Sequence, residues 1–332
     1  MNSENETQQA NPSDELSSYL RQIKLVKKEI EKVLIGQDRI VIEVLIALLS
    51  AGHVLIEGVP GLGKTLLVKA LSRSINAQFS RIQFTPDLMP SDITGHAVFD
   101  MKKEAFKIMK GPVFTNFLLA DEVNRSPAKT QAALLEVMQE KQVTIEGQAY
   151  AVGTPFMVLA TQNPIEQEGT YPLPEAELDR FLLKLRIDYP SLSDEIQLSK
   201  QVTTGITNDV LSVSDINTII SPEEIQKIQE IVSNIPVDDQ VIDYAVRIVR
   251  ATREWPGIDH GAGPRGSIAL IRAARAHAFL EGREFVLPDD VKAVGLPALR
   301  HRIIHSAEIE IEGISSDETI SQIFNKTNAP RK

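Results

Sequence analysis

One stretch of eight residues constrains this chain more than any other. Gly58-Val59-Pro60-Gly61-Leu62-Gly63-Lys64-Thr65 fits the spacing G-x-x-x-x-G-K-[ST]. The glycines admit backbone conformations closed to residues with a Cβ, so several N–H groups converge and form an anion nest at a helix N-terminus. Lys64 then has the reach for the β- and γ-phosphates of a nucleotide, and Thr65 offers a hydroxyl to Mg²⁺. The flanks agree. Residues 53–57 read as a short buried strand, apolar at its centre, and residues 66–75 continue with good helix formers at apolar spacings of three and four. Strand, glycine loop and helix form the setting that a phosphate-binding loop requires.

The rest of the composition narrows the class. With 332 residues the chain is long enough for two domains, and 42% hydrophobic and 24% charged residues are ordinary for a soluble globular protein. The absence of cysteine excludes structural disulfides and thiolate metal sites and suits a reducing compartment. A formal charge of −10 removes the long-range field that drives non-specific nucleic-acid binding. Residues 1–14 are polar, unlike a signal peptide, and read as a disordered tail. The most apolar run, 40–51, is interrupted by Glu43 and is too short for a membrane span. A cytoplasmic protein without membrane insertion is expected.

Leu16, Leu20, Ile23, Val26, Ile30 and Val33 recur at three and four and predict an amphipathic helix. Strands are expected at 79–84, 117–120, 156–160 and 181–187, with a hairpin at 143–151 turning at Gly147. Residues 97–114 are weakly periodic and read as an inserted, partly exposed piece. Ser126-Pro127 supplies an N-cap and a first-turn proline for a helix to about residue 141. Alternating strands and helices argue a mostly parallel sheet over 15–190. Residues 191–332 change texture to helices, including 241–253, 267–280, 288–294 and a start capped by Ser221. The segment 325–328 reads as a frayed terminus.

Asp121-Glu122 follows directly on the apolar run 117–120, which places two carboxylates at the crevice where α/β sheets bind ligands. Asp121 is suited to complete a Mg²⁺ shell, and Glu122 to orient and deprotonate an attacking water. A polar amide, Asn163, ends the strand after the hairpin. His301 and His305 have a metal-ligand spacing, but Arg300 and Arg302 crowd them and no Glu follows His301, so they are discounted as ligands.

Together these segments resemble the AAA+ ATPases, and more closely their MoxR group. The likeness rests on 58–65, on Asp121-Glu122-Val123-Asn124-Arg125, on Ala160-Thr161-Gln162-Asn163-Pro164, on the string Pro172-Leu173-Pro174-Glu175-Ala176-Glu177-Leu178-Asp179-Arg180-Phe181, and on Gly263-Pro264-Arg265-Gly266-Ser267. The resemblance implies an ATP-hydrolysing P-loop core with a C-terminal all-α lid. It implies Asn163 as sensor 1, Arg180 as an arginine finger offered to the neighbouring subunit's ATP, and Arg265 as sensor 2. Arg125 is a second candidate for the finger. ATP contacts are expected from Ile35 and Gly36, which fall where the family packs the adenine, and from Gly58, Pro60, Gly61, Leu62, Gly63, Lys64, Thr65 and Leu66. Mg²⁺ contacts are expected from Thr65 and Asp121.

A finger acting in trans makes the active unit an oligomer, and the resemblance implies a hexameric ring. It also implies chaperone-like remodelling of protein clients with a von Willebrand A-domain partner. Two other readings compete: a nucleic-acid motor, and the ATPase subunit of a metal chelatase. Against the first, the hairpin carries Glu146 and no Lys or Arg between 142 and 152, a poor phosphate contact. Lys102, Lys103, Lys107 and Lys110 in the other insert are its remaining support.

Overall fold

The computed structural model describes residues 12–59, 61–164, 169–203 and 213–330. In chain order the first half contains α1 (Pro12–Glu31), α2 (Asp38–Leu49), β1 (Val54–Glu57), α3 (Lys64–Ser74), β2 (Phe79–Gln83), α4 (Pro90–Thr94), β3 (Gly95–Asp100), β4 (Ala105–Lys110) and β5 (Phe117–Asp121). A 3-10 turn (Val123–Arg125) leads into α5 (Ala128–Glu140), β6 (Gln142–Ile145), β7 (Gln148–Ala151), β8 (Met157–Gln162), α6 (Glu175–Leu178) and β9 (Leu183–Arg186). The remainder is α7 (Leu192–Thr203), α8 (Pro222–Ser233), α9 (Asp239–Glu254), β10 (Ile258–His260), α10 (Pro264–Leu280), α11 (Pro288–Ala293), α12 (Gly295–Leu299), β11 (Ile304–His305), α13 (Ala307–Ile311) and α14 (Ser316–Lys326).

Five strands form one parallel sheet in the order β2-β5-β8-β1-β9. Its central strands are apolar on both faces, as a sheet covered on both sides demands. Side chains alternate between two cores. Val54, Ile56, Phe117, Leu119, Met157 and Leu159 enter the first, with α1, α2, α3 and the C-terminal helices. Leu55, Leu118, Ala120, Val158 and Ala160 enter the second, with α5 and the bases of the two hairpins.

The C-terminal helices continue the first core without a break, because α10 packs on α1 and α2. Polar ties lie alongside: Gln229 Nε2 donates to the Leu48 carbonyl at 2.6 Å, and Ser50 Oγ to the Arg272 carbonyl at 3.1 Å. α8 starts as its sequence requires. Ser221 Oγ accepts from the Glu224 N–H at 3.3 Å while Glu224 Oε2 accepts from the Ser221 N–H at 2.8 Å.

Several local expectations shift. α1 already begins at Pro12, and residues 1–11 lie outside the described residues. α5 begins at Ala128 with Pro127 as its cap residue, because Ser126 is buried and turns its hydroxyl back to the Val123 carbonyl at 3.5 Å. The C-terminal region carries a two-stranded ribbon, β10–β11, too short for a period of two to be visible. The segment 325–328, expected to fray, is largely exposed and leaves the helix after Lys326, whereas the body of α14 before it is packed: Ile320, Ile323 and Phe324 are buried, and Phe324 lies so close to Gly295 that a Cβ there would meet its ring at 2.3 Å.

Candidate functional site

The glycine loop leaves the C-terminal end of β1 and turns into α3. Gly63 has φ +80°, a left-handed conformation that favours glycine, and it caps α3. A Cβ on Gly58 would lie 2.9 Å from the Ile187 carbonyl oxygen, so close backbone approach fixes that position as well. Pro60 lies outside the described residues. Lys64 donates to the Gly58 carbonyl across the loop, and Thr65 stands in the first turn of α3. Burial pulls the Lys64 ammonium below its ordinary pKa, opposed by Asp121, Glu122 and Glu57. Leu62 and Leu66 pack partly against the first core. Ile35 and Gly36 form the turn before α2. Gly36 has φ +73°, and a Cβ there would meet the Asp194 side chain at 2.7 Å, so this turn is wedged against α7.

Beside the loop, one threonine hydroxyl ties the Asp121 carboxylate to the Glu122 backbone. Thr161 Oγ1 donates to Asp121 Oδ1 at 2.6 Å and accepts the Glu122 N–H at 2.9 Å. Arg81 Nη2 reaches Asp121 Oδ2 at 2.7 Å and Gln83 Oε1 at 2.8 Å. Glu122 sits at φ 56°, uncommon for a residue with a side chain. Its Oε2 accepts from Gln83 Nε2 at 2.8 Å and from Arg125 Nη1 at 2.9 Å. Asn163, buried, follows the end of β8, where Gln162 lies opposite Glu57 of β1. Sequence reasoning misses Arg81, Gln83 and Thr161. Their one signal is that they are polar residues at or near the C-terminal ends of strands flanking β5, and Gln83 lies opposite Asp121.

Arg180 and Arg265 are elsewhere. Leu182 N–H donates to the His53 carbonyl at 2.8 Å, which puts Arg180 at the N-terminal end of β1. The glycine loop is one strand away, about 13 Å at the usual rise. Here a cavity of about 420 Å³ is lined by Lys141, Arg180, Arg265, Arg272 and Arg302, with Asp179 as the one carboxylate. Arg302 Nε pairs with Asp179 Oδ1 at 2.7 Å, and Arg265 Nη1 stands 3.8 Å from Asp179 Oδ2. Arg180 Nη1 donates to Gln139 Oε1 and to the Leu135 carbonyl at 3.3 Å, both on α5. Next to Arg302, His301 is buried against the Phe181 carbonyl at 3.1 Å, and desolvation holds its pKa well below the ordinary histidine value. It therefore acts as a buried packing residue.

The predicted residues thus fall into two groups. Lys64, Thr65, Asp121, Glu122 and Asn163 meet at the C-terminal end of the sheet, with the turn at Ile35 and Gly36 alongside. Arg180 and Arg265 share the opposite end. The first group fits a nucleotide with its metal, because a glycine cradle, a desolvated ammonium, a hydroxyl and a held carboxylate converge there.

Residues 53–183 match the family model described as ATPase family associated with various cellular activities (AAA), and residues 250–323 match the AAA lid domain. The chain is 43% identical to Chaperone MoxR1 of Mycobacterium tuberculosis, over 91% of this chain and 81% of that protein. It is 44% identical to the uncharacterized protein YeaC of Bacillus subtilis, over 91% and 93%. A crystal structure from Cytophaga hutchinsonii shares its fold with a TM-score of 0.88 at 43% identity, covering 96% of this chain and 98% of that one.

Proposed function

This chain belongs to the MoxR family of AAA+ ATPases, which makes it an ATP-hydrolysing enzyme, and we propose that it couples hydrolysis to chaperone-like remodelling, assembly or activation of protein complexes. The working unit is a ring, of six subunits on the family expectation, located in the cytoplasm and partnered by a von Willebrand A-domain protein. One observation carries the ring. The phosphate-binding loop and the cationic cavity occupy opposite ends of one sheet, so neither Arg180 nor Arg265 reaches the nucleotide of its own subunit. Head-to-tail stacking brings Arg180 and Arg265 of one subunit to the nucleotide of the next. Arg125 is already engaged with Glu122 in its own subunit, which supports Arg180 as the trans finger.

In this reading the loop N–H groups and Lys64 hold the β- and γ-phosphates, and Thr65 and Asp121 hold Mg²⁺. When bound, Mg²⁺ would supply positive charge to neutralise the phosphate oxygens. Glu122 orients a water and takes its proton while that water's oxygen bonds to the γ-phosphorus and ADP leaves with the β–γ bridging oxygen. Asn163 contacts the water or the γ-phosphate. Gln83 and Arg125 both hold Oε2 of Glu122, which fixes where its carboxylate stands. The resulting motion passes to a client through the inserts. The β3–β4 hairpin supports this role: it leaves Phe99, Met101, Phe106 and Met109 exposed, with Phe99 and Phe106 paired edge to face at 5.3 Å. Aromatic rings and methionines make a surface that adapts to varied apolar segments.

The test is a substrate trap. Glu122→Gln should bind ATP but hydrolyse it about 100-fold more slowly or worse. With ATP and Mg²⁺ it should retain a recurring protein client or a von Willebrand A-domain partner. Recovery of nuclease-sensitive nucleic acid and no protein would replace remodelling with a motor function.

A further inference from the structure

The helix α5 is tied at both ends to charged machinery. At its start, Gln131 Nε2 shares its two hydrogens among the carbonyls of Val123 at 3.1 Å, Ser126 at 3.1 Å and Tyr171 at 3.0 Å, which ties the helix to the turn that follows Glu122. At its far end, Gln139 and the Leu135 carbonyl hold Arg180. From Gln131 to Gln139 the helix runs about 12 Å. Immediately beyond, Lys141 takes a left-handed conformation, φ 52°, and turns the chain into the β6–β7 hairpin.

We propose that Gln139 is a latch for Arg180, and that α5 links the state of one nucleotide site to release of the finger serving the next. The inference rests on reading Arg180 as the trans finger. The amide of Gln139 is oriented to hold a cation. Its Nε2 donates to Glu140 Oε1 at 3.0 Å, which leaves Oε1 for the guanidinium. Gln139 and the Leu135 carbonyl take the N–H groups of Arg180 Nη1 and hold the guanidinium against α5, so it must leave them to turn toward a neighbour's phosphate. Only the unlatched fraction of subunits is competent, and apparent turnover falls by that fraction. A shift of α5 driven from the Glu122 turn changes the fraction. Gln139 is therefore a positioning residue and touches no substrate.

Signed substitutions test this in the full-length protein, with ATPase rates measured against Mg-ATP concentration. Gln139→Leu keeps bulk but removes the acceptor. It should raise kcat by about fivefold, with KM little changed and the Hill coefficient falling toward one. Gln139→Glu replaces the amide with an ion pair and should lower kcat by about tenfold. Gln139→Ala, which suits a helix, should repeat the leucine result and guards against a packing artefact. Arg180→Ala is measured beside them. If it abolishes turnover while Gln139→Leu and Gln139→Glu change kcat in the same direction or not at all, the latch is wrong and the finger stands. If Arg180→Ala leaves turnover intact, the finger reading falls, and the latch with it.

Discussion

The two ends of the parallel sheet differ in how they are built. The C-terminal end is made of contiguous motifs: a loop of eight residues, two adjacent carboxylates and a strand-ending amide, locked by hydrogen bonds such as that from Thr161 to Asp121 at 2.6 Å. The N-terminal end is assembled from distant parts. Lys141 follows α5, Arg180 follows α6, and Arg265, Arg272 and Arg302 come from the C-terminal region. The first end has the groups to bind and cut a phosphoanhydride, but its cations beside Lys64, namely Arg81 and Arg125, already pair with Asp121 and Glu122. The second has surplus cations and no phosphate loop. On the proposed reading of Arg180 as a trans finger, a single subunit carries two half-sites, and assembly rather than folding completes the enzyme.

The largest expected effect breaks that division directly. Arg180→Ala should lower kcat by about 10³-fold with ATP affinity nearly unchanged, since a finger acts on developing charge. Mixing Arg180→Ala with Glu122→Gln, each inactive alone, should restore measurable turnover. In mixed rings some sites combine an intact Glu122 with a neighbour's intact Arg180. If mixing restores nothing over a range of ratios, the two ends do not serve one another.

The same contrast governs what the sequence reveals. Contiguous placement is legible: 58–65 follows the apolar strand β1, and Asp121-Glu122 stands at the end of the apolar strand β5, as the sequence predicts. Contacts across strands are not. Gln83 and Thr161 reach Asp121 and Glu122 only through the pairing of β2, β5 and β8, and no spacing within one segment announces it. The cationic cavity is legible only as separate arginines. The β3–β4 hairpin gives a weak period because its tip runs past the second core, so nothing selects one apolar face. The last helix is hard to read because its apolar residues Ile320, Ile323 and Phe324 lie beside a polar, terminus-like stretch. The ribbon of β10 and β11 is two to three residues per strand and has no pattern to read.

A smaller effect sharpens the comparison by separating structure from catalysis at the N-terminal end. Arg302 is almost fully buried, pairs with Asp179, and donates to the carbonyls of Phe181 at 2.7 Å and Leu182 at 3.2 Å. It clamps the segment that carries Arg180 onto the C-terminal helices. Arg302→Met retains length but removes the close partner of Asp179, leaving it only Arg265 at 3.8 Å, and takes a donor from each of those carbonyls. Stability to urea should fall by about 3 kcal/mol. Asp179→Asn in the same background should then cost much less than it does alone, because the charge left without its partner is gone. Equal costs in both backgrounds would show that the pair is not what holds the clamp.

The smallest effect concerns His53, which anchors the same end from within the core. Its Nδ1 accepts the Val158 N–H at 3.0 Å and its Nε2 donates to the Met138 carbonyl at 3.1 Å, so both nitrogens are satisfied in the neutral ring. Burial pushes its pKa down to about 4 from an ordinary 6.5. The unfolded chain therefore takes up a proton as pH falls below 6.5, while the folded chain resists until about pH 4. Stability contributed by His53 is complete above 6.5 and is lost progressively as pH falls through that window. Between pH 7 and pH 5 the loss from this one group is about 2 kcal/mol. Buried His301 adds to it in the same direction, since its pKa is also depressed. Urea midpoints measured across that range should decline for the native chain, and His53→Gln should flatten part of the slope while lowering stability at pH 7. An unchanged slope in that variant would place the acid sensitivity elsewhere. At constant ring concentration, turnover per folded subunit should change far less than stability over the same interval, because His53 contacts neither half-site's phosphate-binding groups.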